Sequence, residues 1–119
     1  MKIAFIALFG LLGVFTRYFI GSTPEKTFWI NVAGSFLIGV IYVVGIERSA
    51  IPEELRVGIM VGFLGGFTTF SSYCLDALKL FEEAKFGVAI LYFGLSPFLG
   101  LTSAFAGVLL TRFVVRTLT

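Results

Sequence analysis

Four apolar runs, parted only by short polar breaks, fill nearly the whole sequence, at about residues 3–21, 27–46, 56–81 and 86–111. A helix needs roughly 17 to 25 apolar residues to cross bilayer hydrocarbon, so each run is long enough to span. The breaks carry turn chemistry. Ser22-Thr23-Pro24-Glu25-Lys26 places Thr23 before a proline, Ser49 or Pro52 can open the third helix, and Glu82-Glu83-Ala84-Lys85 closes it. Only 13% of the 119 residues are charged, against about 25% in soluble domains, too few to cover a soluble surface of this size. The expectation is an all-α integral membrane protein, with residues 1–119 forming one four-helix transmembrane domain. Lys2 precedes the first run in the manner of a signal peptide, but that run lasts a full membrane width without a small-residue cleavage pattern, so it is expected to be a retained helix.

The composition also removes several functions. There is no histidine and only one cysteine, Cys74, which excludes imidazole- or thiolate-based metal sites. No nucleophile–base constellation is present, so an enzyme is not expected. The bases stand singly and not in a run, so nucleic-acid binding has no support.

The third run is longer than a span needs: 26 residues of helix would reach about 39 Å, against about 30 Å of hydrocarbon. Near its middle lies Gly65-Gly66-Phe67-Thr68-Thr69, poor helix-forming sequence that predicts a break. Unwound backbone at membrane depth requires burial in protein or a wet or ionic site. The alternative is a packing surface, since Gly58, Gly62 and Gly65 suit close helix contact.

Four spans place both termini and the second loop on one side, with Lys2, Arg48, Arg56, Arg112 and Arg116. The other side holds Arg17, Lys26, Lys79 and Lys85. An excess of bases normally sets orientation; this near balance favours insertion both ways. Polar residues recur at helical spacing: Gly10, Gly13, Arg17 and Gly21 in the first helix; Thr27, Asn31 and Ser35 in the second; Tyr92, Ser96, Gly100, Ser103, Gly107 and Thr111 in the fourth. Ser103, Gly107 and Thr111 are expected to serve helix packing. Arg17, Asn31, Asp76 and Tyr92 all lie toward one side of the membrane, so one subunit offers a polar vestibule at one end only. An antiparallel copy would supply the other. Phe70 and Tyr73 share a face, and the positive edges of aromatic rings can face an anion.

The segment from Gly62 to Tyr73, GFLGGFTTFSSY, resembles the signature of the Fluc (CrcB-type) fluoride channels. Supporting matches are Gly13 with Arg17, Asn31 with Gly34 in FWINVAGSF, and Tyr92 with Ser96, so the resemblance covers essentially the whole chain. It implies a passive fluoride channel of the inner membrane, built as an antiparallel homodimer with two pores and a structural sodium ion at the dimer centre. Carried over, main-chain carbonyls of Gly65 and Thr68 would hold the sodium. Asn31, Phe70, Tyr73, Tyr92 and Ser96 would line the fluoride pore, and Arg17 would lie in the aqueous vestibule. Thr27, Thr69, Ser72 and Asp76 are helix-packing or polar-track positions. Two residues depart from the family pattern: Tyr73 stands where phenylalanine is usual, and Asp76 where glutamate is common. The Tyr73 hydroxyl is then a donor that could meet the anion or crowd its path. Fluoride, membrane lipid and a second copy are the expected partners.

The main alternative is a small dual-topology multidrug transporter, which also has four helices but needs a membrane-embedded carboxylate. The first helix has no acid, and Asp76 lies near a helix end. A non-transporting assembly subunit would need no central break.

Overall fold

A computed structural model describes residues 1–118 of the chain. Among them four helical spans are long and apolar enough to cross a membrane: Lys2–Ile20, Pro24–Glu47, Glu53–Glu82 and Phe86–Leu118. The described residues contain no strand. The chain is a multi-pass membrane protein.

Helix α1 (Lys2–Ile20) stops at Gly21, whose φ of 121° is open to glycine and costly for other residues. Helix α2 (Pro24–Ile41) begins within the 22–26 turn cluster, three residues before the apolar run expected from 27. Proline takes the first helical position, and the Thr23 side chain accepts the Lys26 amide at 3.3 Å. The second span then runs on through a π-helical turn, Tyr42–Glu47. In the third span, Pro52 precedes helix α3 (Glu53–Val57), and Glu53 and Glu54 complement the helix dipole in its first turn. A second π segment (Gly58–Leu64) follows, then the short helix α4 (Gly65–Phe67), a two-residue break, and helix α5 (Phe70–Glu82). Helix α6 (Phe86–Leu118) is the fourth span.

Small residues set the helix contacts. A Cβ at Gly62 would stand 2.7 Å from the Ile6 carbonyl oxygen, and one at Gly66 2.8 Å from that of Gly10, so α1 lies directly on the third-span backbone. The second and fourth spans pack the same way. A Cβ at Gly39 would overlap the Ala104 carbonyl, one at Gly107 would overlap the Phe36 carbonyl, and Ser103 Oγ donates to the Val32 carbonyl at 2.8 Å. The packing role expected for Ser103 and Gly107 is therefore observed. Large apolar side chains such as Leu8, Phe15, Leu91 and Phe98 are left exposed, as a lipid-facing surface requires.

Two features differ from the sequence expectation. The fourth helix does not stop near 111 but continues to Leu118. Its 33 residues correspond to about 50 Å, matching the longest molecular extent of 52 Å. Hydropathy marks where the membrane ends, not where the helix ends. The π turns, each wider than an α turn, leave no hydropathic trace. At the first of them, Arg56 Nη1 donates to the Gly45 carbonyl at 3.3 Å, a bond that only the packing of two spans brings about.

Candidate functional site

The break in the third span is confined to Thr68 and Thr69. Both are extended, with φ, ψ of −84°, 154° and −150°, 126°. Gly65, Gly66 and Phe67 themselves remain helical, so the break is narrower than the glycine-rich sequence suggests. Thr69 caps α5 by accepting the Ser72 amide at 3.3 Å, and its hydroxyl also lies 3.4 Å from the Ser72 hydroxyl. Thr68 turns its hydroxyl back to the Leu64 carbonyl at 2.8 Å.

Neighbouring helices satisfy what the break exposes. Asn31 binds Thr69 at two points: Oδ1 accepts the Thr69 amide at 2.9 Å, and Nδ2 donates to the Thr69 carbonyl at 3.1 Å. In an unbroken helix that amide would serve the Gly65 carbonyl; the Gly65 oxygen has lost it. Arg17 Nε donates to the Gly66 carbonyl at 3.2 Å. Arg17 is thus latched to the break by one nitrogen, and does not simply line an aqueous vestibule. Asn31 offers an anion one remaining N–H rather than two. Gly34 permits the arrangement, since a Cβ there would overlap the Thr68 methyl group.

Beside the break lies an open groove of about 550 Å³, lined among others by Asn31, Gly65, Thr68, Phe70, Tyr73 and Ser96. Phe70 is 75% exposed on its rim. Ser96 is buried, and among the described residues its Oγ is the one buried side-chain nitrogen or oxygen with no hydrogen-bond partner. A buried hydroxyl without a partner is costly and leaves an unused donor beside the groove.

Tyr73 corrects an expectation. Its ring is buried and stacks on Phe93 at a centroid distance of 5.5 Å, but its hydroxyl donates to the Phe93 carbonyl. The cause is four residues further on. Pro97 has no amide hydrogen, so the Phe93 carbonyl lacks its helical donor, and Tyr73 supplies one. The hydroxyl is spent on the fourth helix and is not offered to an anion. Hydropathy marks neither Pro97 nor the π turns; for Pro97, a proline four residues after a carbonyl inside an apolar run is the available signal. Tyr92, for its part, donates to Asp76 Oδ2 at 3.3 Å, and Asp76 is buried. Tyr73 and Tyr92 are in ring contact at 5.4 Å. Thr27 is buried at the start of the second span, a packing position. Among the described residues no group of three or more acidic or cysteine side chains could hold a metal ion.

Residues 4–108 match the model of a protein family described as CrcB-like protein, camphor resistance. The chain is similar to proteins named as fluoride-specific ion channels. It is 44% identical over 96 residues to that of Pseudomonas syringae pv. tomato, covering 81% of this chain and 74% of the relative. It is 37% identical over 121 aligned positions to that of Geobacter metallireducens, covering 94% and 98%. The protein from Acidithiobacillus ferrooxidans is 41% identical over 114 residues, with 87% and 90% covered.

Proposed function

The chain belongs to the CrcB-like family, and on that premise we propose that it is a fluoride-selective channel of the bacterial inner membrane, an ion channel and not an enzyme. Fluoride is small and strongly hydrated, so a selective path must replace its water with donors while admitting little else. The unpartnered, buried Ser96 hydroxyl beside the groove is the observation that carries this reading. The remaining N–H of Asn31 and the exposed ring edge of Phe70 stand along the same groove. Both can favour an anion, one by hydrogen bonding and the other through the positive edge of the ring. Asp76, buried beneath Tyr92, keeps the hydroxyl of that residue occupied. Tyr92 does not line the groove and reaches it only through its ring contact with Tyr73.

The groove is open on one side, so a second, antiparallel copy is proposed to close it and make two pores by symmetry. The near-balanced bases on the two membrane faces support insertion both ways. A structural sodium ion between the copies is proposed to sit on carbonyls of Gly65 and Thr68. The Gly65 oxygen, deprived of the Thr69 amide, is chemically suited to a hard cation. When bound, the cation would neutralise main-chain oxygens and join the two subunits.

Fluoride efflux from liposomes tests the function. Wild type should release fluoride and retain chloride; Ser96→Ala should slow release at least about tenfold, the scale of one lost charge-assisted hydrogen bond, and Phe70→Ala should slow it as the ring edge is lost. Equal release of chloride would overturn the assignment. Labelling of a cysteine placed in a loop should find both orientations. Gly65→Val examines the sodium site, because a Cβ there meets only the Met60 oxygen at 3.9 Å and fits the protomer. It should weaken the dimer, and sodium removal should weaken the wild-type dimer likewise.

A further inference from the structure

At the end of the molecule away from the groove, a second cleft of about 320 Å³ opens between the second and fourth spans. It is lined by Val43, Glu47, Arg48, Arg112, Val115 and Arg116. Arg112 holds Glu47 through two bonds, Nε to Oε1 at 3.0 Å and Nη2 to Oε2. That pair neutralises the one acid in the cleft. Arg48 and Arg116 are exposed and, among the described residues, have no acidic partner. The cleft therefore keeps an excess of two positive charges on guanidinium groups, whose planar fork suits phosphate oxygens.

Its depth narrows the ligand. The fourth helix outruns the hydrocarbon by about 20 Å, so the last turns, carrying Arg112 and Arg116, emerge into the headgroup layer. Apolar side chains lie between them on the helix: Phe113 is 63% and Val114 43% exposed. Guanidiniums at headgroup depth with exposed apolar side chains beside them match an amphiphile carrying phosphate above acyl chains. At the other end Arg17 is bound to the break and Lys85 faces Glu83 at 3.5 Å, while Lys26 and Lys79 are ammonium groups that line neither cleft and lack the planar fork.

We infer that this cleft binds the phosphate of an anionic phospholipid headgroup through Arg48 and Arg116, with Arg112 and Glu47 holding the walls in place. The site goes beyond the fluoride reading and does not depend on it. Full-length protein in a neutral detergent, titrated with phosphatidylglycerol, phosphatidylcholine or inorganic phosphate, tests it by native mass spectrometry. Phosphatidylglycerol should be retained preferentially. The doubly substituted Arg48→Gln/Arg116→Gln protein should hold it about thirtyfold less well, as loss of two interfacial bases implies. Lys26→Gln/Lys79→Gln, which removes the same charge at the other end, should stay within about twofold of wild type. Monodisperse elution of both variants reports folding. Equal retention of the two lipids, equal losses in the two variants, or equally tight binding of inorganic phosphate would overturn the proposal. Fluoride efflux by the arginine variant should match wild type, which separates this site from the groove.

Discussion

The third and fourth spans are both interrupted at mid-membrane, and they respond in opposite ways. Pro97 strips one amide from the fourth, yet the helix runs unbroken from Phe86 to Leu118. The third has no proline at its centre but comes apart at Thr68 and Thr69. Their orphaned backbone groups meet different partners. One hydroxyl, that of Tyr73, meets the single vacancy opposite Pro97, and the helix is repaired. At the third-span break Asn31 takes both polar groups of Thr69, and Arg17 takes the Gly66 carbonyl. The unwound form is then satisfied at Thr69 and Gly66, and the Gly65 oxygen is left without its helical amide. In hydrocarbon an unsatisfied backbone group costs several kcal/mol, so donors on neighbouring helices decide which interruption becomes a break. The second span maintains the break in the third, and the third span mends the fourth.

The largest effect should come from removing the brace on the break. Asn31→Leu would leave an amide and a carbonyl of Thr69 unpaired, costing about 3 kcal/mol or more. Fluoride efflux should fall to background, and denaturant titration should show the loss of stability. Wild-type efflux from this variant would mean that the break holds itself open. Next comes Gly34→Val, whose Cβ would overlap the Thr68 methyl group. Overpacking of this kind costs about 1–3 kcal/mol, and impaired efflux should accompany it if the position of Thr68 matters.

The mended helix gives a subtler test. Tyr73→Phe should lose about 1–2 kcal/mol, because the Phe93 carbonyl is orphaned again. Pro97→Ala returns the helical amide, so the substitution at Tyr73 should cost about 1 kcal/mol less in that background. A double-mutant cycle with no coupling would break the comparison between the two spans. Smallest of all, Ser103→Ala should cost about 0.6 kcal/mol, the average for interhelical hydrogen bonds in membranes, with efflux unchanged. Ser103 bonds Val32 on the packing face, away from the groove; a large loss of efflux would place it on the ion path instead.

Much of the site was legible because its residues sit at helical spacing on spans whose order is fixed. Asn31, Ser96, Phe70 and the break itself are polar, aromatic or glycine-rich exceptions inside apolar runs, and exceptions stand out. The direction in which each polar group is used was not legible. Asn31 and Arg17 looked like groups waiting for an ion or water, and both are committed to backbone atoms of the third span. Tyr73 looked like a pore hydroxyl and is a substitute amide.

By itself the sequence determined that four helices cross a membrane and that the third is interrupted near Gly65–Thr69. These depend on composition and on local backbone preference, which each stretch of chain carries with it. The tertiary structure alone decided where the break begins and ends, which carbonyl oxygen it leaves without an amide, and why Pro97 leaves its helix intact. It also extended the fourth helix past the hydrocarbon to bring Arg112 and Arg116 against Glu47 and Arg48. Each of these outcomes rests on a hydrogen bond or an approach between residues far apart in the chain. In a solvent with no competing donors, such partners settle which backbone groups remain free.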